Sequence, residues 1–246
     1  MAAGFQVFAA DGQTLQVDGE YINFSLRKSG TISSSMIKAN GLGGYHCCID
    51  ITGFNNPTVA YIASGSGNRC SMEVIRPEGT YLGGYVGGRS YVRFTFDDSS
   101  ASVTYYIFDQ WTAPRGNSGV EVFNDSGQVV FHSDWYTMQV RGVINVPANR
   151  PRIVNLSSGG DPETFTVGSI VAGTAIMPTF CRLYTVAPNQ DIPVTYKSGF
   201  WTSGNTLYTR YIASGEYGNS QGWNYNDDWA MPILMVDISV CPVPYG

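Results

Sequence analysis

The chain has 246 residues and a net charge of −5; 13% of its residues are charged and 13% are aromatic, against a usual charged share of roughly 25%. With 43% hydrophobic residues it can bury a core, which excludes intrinsic disorder, and its 14 basic residues are scattered singly, which excludes the phosphate-neutralising stripe of a nucleic-acid binder. No apolar run approaches the roughly 18 residues of a membrane-spanning helix, and Met1-Ala2-Ala3-Gly4 has neither a charged nor an apolar leader, so a folded chain made without a cleavable export signal is expected.

Glycine (29 residues) and proline (12) punctuate the chain too often for long helices, so strands are expected throughout. Residues 4–21 read as a hairpin: Phe5 and Val7 alternate with polar positions, Ala9-Ala10-Asp11-Gly12 closes a turn, and Thr14-Leu15-Gln16-Val17 returns. Strands follow over 22–26, 44–52, 58–63, 71–75 and 91–96. Helical spacing is confined to Ser35-Met36-Ile37-Lys38-Ala39, barely one turn. The run Val103–Asp109 is almost continuously apolar, as in a strand buried on both faces. Ala113-Pro114-Arg115-Gly116-Asn117-Ser118 has no apolar period and reads as a linker.

Residues 119–136 then repeat the opening hairpin at a spacing of 115 (4 to 119). Gly4, Val7, Phe8, Gly12, Gln13 and Tyr21 recur as Gly119, Val122, Phe123, Gly127, Gln128 and Tyr136. Asn124-Asp125-Ser126-Gly127 supplies the second turn. Further strands are expected over 152–156, 165–171, 181–186, 192–196, 207–213 and 232–237, the last again apolar on both faces. Turn signals every 8–12 residues or so are those of sandwiches and barrels. The expected fold is all-β with very little helix: two tandem related β-sandwich-like domains, residues 1–113 and 119–246, joined by a linker at 114–118.

No constellation selects a reaction. Cys47, Cys48, Cys70, Cys181 and Cys241 are an odd set in a long chain and read as reduced, mostly buried thiols. Cys47 and Cys48 point to opposite faces of a strand, and only His46 and His132 could assist them, so no metal and no cofactor is expected. His132-Ser133-Asp134 is contiguous, and the same alternation argues against its convergence into a triad. No nucleophile elbow occurs, and none of the 19 acidic residues is singled out as half of a glycosidase pair, so no enzyme is expected. Gly83-Gly84-Tyr85-Val86-Gly87-Gly88 lacks the lysine and helix of a phosphate loop and reads as a turning connection. Asn224-Tyr225-Asn226-Asp227-Asp228 offers oxygen donors without EF-hand spacing and reads as a solvated turn, with ion binding left open.

Residues 200–229 stand out. Trp201, Tyr208, Tyr211, Tyr217, Trp223, Tyr225 and Trp229 lie among Gly, Ser, Asn and Gln, a mixture of rigid aromatic area and adaptable hydrogen bonding found in paratopes and suited to sugar rings. They are candidate partner- or receptor-binding residues. Against that reading, Trp201, Tyr208, Tyr211 and Trp229 serve equally as core or subunit-interface aromatics. Tyr81, Tyr85 and Arg89 form a smaller candidate of the same kind.

The repeated Gly-x-x-Val-Phe-x-x-x-Gly pattern (Gly4, Val7, Phe8, Gly12; Gly119, Val122, Phe123, Gly127), the apolar Tyr105-Tyr106-Ile107-Phe108-Asp109 and the short Pro-containing junction resemble small tail-tip and tail-fibre-associated proteins of long-tailed bacteriophages. The resemblance implies a virion component, synthesised in the bacterial cytoplasm and built into the tail. It also implies other phage tail proteins as partners, a homo-oligomer with a trimer favoured, and attachment or structural work without catalysis. A host-surface glycan or protein is a further partner under this reading, and neither nucleic acid nor membrane insertion is expected. The alternative is a carbohydrate-binding, lectin-like module with its aromatic platform in 200–229.

Overall fold

A computed structural model of the chain describes residues 6–8, 15–18, 22–39, 44–75, 88–154, 161–186, 194–217, 224–225 and 229–246. The first half carries β1 (Gln6–Phe8), β2 (Leu15–Asp18), β3 (Phe24–Ile32), β4 (Lys38–Ala39), β5 (Tyr45–Asp50), β6 (Thr58–Ile62), β7 (Cys70–Ile75), β8 (Tyr91–Phe96) and β9 (Val103–Gln110). The second carries β10 (Glu121–Phe123), β11 (Val129–His132), β12 (Gln139–Val146), β13 (Ile153–Val154), β14 (Asp161–Pro162), β15 (Phe165–Ser169), β16 (Thr174–Pro178), β17 (Leu183–Val186), β18 (Val194–Ser203), β19 (Thr206–Tyr217), β20 (Asn224–Tyr225) and β21 (Met231–Asp237). Helix among the described residues is limited to two 3-10 turns, Ser34–Met36 and Ser66–Asn68. The fold is all-β, and the first of these turns overlaps the one stretch with helical spacing.

Two sheets dominate. The six-stranded sheet runs β12-β21-β16-β6-β9-β3, and the nine-stranded sheet runs β15-β19-β18-β7-β8-β5-β4 with β17 on β18 and β20 on β17. Small additions aside, each order reads the same from either end. In the first half β9 lies between β3 and β6, and β8 between β5 and β7. In the second half β21 lies between β12 and β16, and β19 between β15 and β18, in the same chain order. Corresponding strands meet antiparallel at the middle of each sheet, Tyr61 opposite Ile176 and Cys70 opposite Phe200, as across a two-fold axis. Tyr61 and Ile176 are themselves 115 residues apart, the spacing of the sequence repeat.

The halves therefore share their sheets. One continuous core takes Tyr61, Phe94, Phe96 and Ile107 from the first and Ile176, Phe200, Leu207 and Ile233 from the second. Each such side chain removed from water contributes roughly 1.5–3 kcal/mol. Three strands per sheet leave an unpaired edge in either half, and the two edges meet at Tyr61–Ile176 and Cys70–Phe200. Residues 114–118 thus separate two halves of the topology without separating two cores.

The six-stranded sheet is covered on its second face as well, where Leu26, Tyr106 and Phe108 pack with Met177 and Val236 under Tyr136, Met138 and Tyr245. This explains the apolar run in β9: Tyr105 and Ile107 enter one core while Tyr106 and Phe108 enter the other. The outermost strands approach at their N-terminal ends, with Leu26 N–H donating to the Tyr136 carbonyl at 2.9 Å and Met138 N–H to that of Phe24 at 2.8 Å.

Each half also sends out its repeated hairpin, β1 with β2 and β10 with β11, which belongs to neither large sheet. Both hairpins slip register after their second pair, at Val7/Phe8 and at Val122/Phe123.

Strands β12 and β16 do not stand out in the sequence, and β3 runs on to Ile32, well past its apolar start. In β12 a bulge at Arg141 breaks the alternation, while β16 is short and ends on Pro178. Polar Arg27-Lys28-Ser29 and Gly30 disguise the rest of β3; Gly30 is needed there because a Cβ would lie 2.7 Å from the Tyr105 hydroxyl. The bulges match between halves. Arg27 slips out of the β3–β9 ladder and its Nη1 meets Asp109 Oδ2 at 2.5 Å, while Arg141 slips out of β12–β21 and its Nε meets Asp237 Oδ2 at 2.8 Å.

Candidate functional site

A polar cavity of about 440 Å³ lies where the 115–119 segment runs into hairpin β10–β11. Its walls are Arg115, Glu121, His132 and residues 116–119. Asn124 ties the far end of the hairpin, its Oδ1 accepting from Ser126 N–H at 3.2 Å and from Gln128 N–H at 2.9 Å. Beneath the near end Trp135 packs with Ala113 and Val129, its Nε1–H donating to the Ala113 carbonyl at 3.1 Å.

Around the cavity the contacts form a chain. Arg115 Nη1 meets Glu121 Oε1 at 2.6 Å, and that same oxygen stands 3.9 Å from His132 Nε2. On the other side of the ring Nδ1 accepts from Asp134 N–H at 3.0 Å and lies 3.5 Å from Asp134 Oδ2. Gly116 N–H binds that carboxylate at 3.0 Å, and Val120 N–H binds Ser133 Oγ at 3.1 Å. Gly119 has φ +141, and a Cβ on it would lie 2.5 Å from Ser133 Oγ and 3.0 Å from His132 Cε1, so no larger residue fits.

His132 and Asp134 do meet, because β11 ends at His132 and the chain turns through Ser133 and Asp134, bringing Asp134 back to the ring. They do not make a triad. A catalytic histidine donates from Nδ1 to its acid, whereas here Nδ1 is an acceptor and the Ser133 hydroxyl is taken by Val120 N–H.

A second cavity, about 420 Å³, sits at the junction of the halves among Val59, Met72, Glu73, Met177, Phe180 and Cys181. Glu73 Oε1 accepts from Arg93 Nε at 2.5 Å and from Lys197 Nζ at 2.6 Å. Arg93 and Lys197 are both buried. Cys181 Sγ lies 3.1 Å from Ser71 Oγ, and burial pushes its thiol up to about 11 although Lys197 pulls it down, so it stays protonated at neutral pH. Burial likewise raises the Cys47 and Cys241 thiols to about 11. None of the five cysteines forms a disulfide. Arg182 is fully buried, and its Nη1 donates to the carbonyls of Pro147 (3.1 Å) and Arg150 while its Nη2 donates to those of Val146 (3.0 Å) and Trp229.

The aromatic candidates scatter. Trp201 is buried and stacks on Tyr208 with ring centroids 5.4 Å apart, and Tyr211 is buried against Tyr184 at 5.8 Å. These are core residues, because β18 and β19 turn one face inward. Trp229 is 67% exposed. Tyr217 ends β19 and Tyr225 lies in β20, opposite Leu183 of β17. Trp223, Tyr81 and Tyr85 lie outside the described residues, as do residues 226–228 of the oxygen-rich turn and most of the glycine run at 83–88. Arg89 is exposed and pairs with Asp50 at 2.9 Å. Residues 200–229 therefore supply no assembled platform among the described residues.

The site that does assemble, Arg115 with Glu121, His132 and Asp134, had two traces in the sequence: Gly119 belongs to the repeat, and His132-Ser133-Asp134 is contiguous. The buried Glu73–Arg93–Lys197 cluster had none, since its members are 124 residues apart at the widest. No family model, curated protein or solved structure matches the chain.

Proposed function

We propose that the chain is a structural and adhesive component of a larger assembly, a bacteriophage tail tip, baseplate or tail fibre, and that it contributes to attachment at the host surface. The observation that carries this reading is the repeated hairpin. It stands apart from both sheets, and in its second copy Val120 is 60% and Phe123 52% exposed, side chains for which a free monomer gains nothing by exposure. The low charge of the chain agrees, since a free monomer usually carries more for solubility. Catalysis is no part of the proposal, and the favoured form is a homotrimer held among other tail proteins in the virion.

The test is sedimentation of the full chain, alone and co-expressed with tail proteins, beside a Val120→Ser, Phe123→Ser double variant. Association that the double variant weakens is expected. A strict monomer that joins no tail protein overturns the proposal.

A further inference from the structure

The two outermost strands of the six-stranded sheet correspond position for position. β3 meets β9 with Ser25 on Asp109, a bulge at Arg27, Ser29 on Tyr106 and Ile32 on Val103. β12 meets β21 with Gln139 on Asp237, a bulge at Arg141, Val143 on Leu234 and Val146 on Met231. Ser29 and Val143 therefore hold the same place in their ladders. Their outer sides differ. On β3 the chain's own C-terminal segment covers the edge: Ser29 N–H donates to the Tyr245 carbonyl at 2.9 Å and Tyr245 N–H to the Ser29 carbonyl at 3.3 Å, an antiparallel bridge. Ser29 Oγ also donates to the Pro242 carbonyl at 2.5 Å, the Tyr245 ring meets Tyr136 edge-on at 5.7 Å, and Ser29 is left 3% exposed.

On β12 nothing among the described residues takes that place. Thr179 N–H donates to the Pro232 carbonyl at 3.2 Å on the β16 side, so Pro232 and Leu234, alternate residues of β21, turn their backbone towards β16. Val143 and Asn145, opposite them, therefore turn their N–H and carbonyl groups outward. Val143 finds no backbone partner there among the described residues and is 54% exposed, and Leu234 beside it is half-buried where its counterpart Tyr106 is buried. The cause is connectivity. The segment after β9 corresponds to the C-terminal segment after β21, but it has to lead into β10, and Trp111 and Ala113 are held against Trp135. A free edge is ordinarily blunted by charge or proline, whereas this one presents an exposed valine. The bulge at Arg141 is no shield, since the matching bulge at Arg27 leaves β3 open to Tyr245.

We propose that the outer edge of β12 at Val143 is a docking site for an extended, uncharged segment of another protein of the assembly, added antiparallel as Tyr245 is added to Ser29. The covering that β3 receives defines the chemistry: Cys241–Gly246 holds two prolines, a valine and a tyrosine and no charged side chain. A second copy is the poorer occupant. It brings a net charge of −5 against an equal charge, and its C-terminal segment already lies on its own β3. The edge is separate from hairpin β10–β11, and only the origin of the partner rests on the attachment reading. The two fail separately, since strand addition is read on the Val143 amide and assembly through the hairpin by sedimentation of the Val120→Ser, Phe123→Ser variant.

The test uses the full 15N-labelled chain and, as probe, an acetylated and amidated peptide with the sequence of residues 238–246 and serine in place of its cysteine. We expect a saturable shift of the Val143 amide with half-saturation at about 1 mM or below, and exchange of its hydrogen slowed about tenfold in the complex. The Ser29 amide stays unchanged. N-methylation of the tyrosine in the peptide keeps every side chain, removes the donor to the Val143 carbonyl and weakens binding about tenfold. Val143→Pro removes the outward N–H without touching the ladder to β21 and abolishes the peptide's effect on the Asn145 amide. Should that variant fail to fold, the methylated peptide on the parent chain decides. A silent Val143 amide, a response confined to Ser29, equal binding of the methylated peptide, or self-association of the parent chain that Val143→Pro abolishes overturns the proposal.

Discussion

Replacing Glu73 by glutamine keeps its shape and removes the carboxylate charge on which Arg93 and Lys197 converge. Both cations are buried, and their nitrogens converge on the same Oε1 at 2.5 and 2.6 Å. Removing one partner of a buried ion pair costs about 3–5 kcal/mol, because the remaining charge loses a close counter-charge that water does not replace. The Glu73 side chain is 25% exposed, so some hydration persists and the lower end, about 3 kcal/mol, is expected. In a chain of this size that lowers the melting temperature by about 6–12 °C. Lys197→Met behaves differently. It removes a fully buried cation, leaves Glu73 with Arg93, and fills similar volume, so stability stays within about 1 kcal/mol of the parent. Urea unfolding followed by circular dichroism, with the slope checked for constancy, measures both. The reasoning fails if Glu73→Gln costs less than about 1 kcal/mol, or if Lys197→Met costs as much as Glu73→Gln.

Three further outcomes are expected. Gly119→Ala places a Cβ 2.5 Å from Ser133 Oγ at φ +141 and should destabilise by about 2–3 kcal/mol, measured by the same unfolding assay; an alanine variant of parental stability refutes it. Arg182→Lys should not rescue the several-kcal/mol loss of Arg182→Met, because one ammonium cannot span the four carbonyls that the guanidinium fork reaches; thermal melts of the two variants decide it. Asp237 and Asp97 should show opposite pH dependence. Burial opposes ionisation of Asp237, but the Ser239 backbone and hydroxyl and the Arg141 guanidinium outweigh it and hold its carboxyl below the ordinary range. Its stabilisation is therefore present above the unfolded carboxyl value, about 3.9, and is lost as pH falls, so Asp237→Asn costs most at neutral pH and least in acid. Burial raises the Asp97 carboxyl despite Arg69, so the penalty of charging it appears as pH rises and Asp97→Asn gains relative to the parent towards neutrality. Melting temperatures from pH 3 to 7, about the span over which carboxyls titrate, should show the two trends diverging; parallel trends refute the assignment.

Much of the fold lay in consecutive residues. The alternation and turn residues at 119–132 produce the hairpin that forms, and the run at 103–109 is a strand apolar on both faces because both faces are covered. Where bulges or glycines interrupt the period, as at Arg141 in β12 and Gly30 in β3, the strand persists because its ladder partner supplies the hydrogen bonds that local preference does not. The candidate site was harder to read. Aromatic density drew attention to 200–229, but Trp201 and Tyr211 face inward for reasons that lie in sheet pairing and not in their neighbours along the chain.

Composition, the hairpins and the spacing of 115 residues between them were present in the chain before any contact was known, because alternation, turn chemistry and self-similarity are properties of neighbouring residues. The edge-to-edge union of the halves through Tyr61 with Ile176 and Cys70 with Phe200 depends on which unpaired edges lie close enough to join. So does the arrival of Lys197 at Glu73, 124 residues earlier in the chain. Those outcomes belong to three-dimensional pairing, in which residues more than a hundred positions apart satisfy or fail to satisfy one another, and no local pattern encodes them.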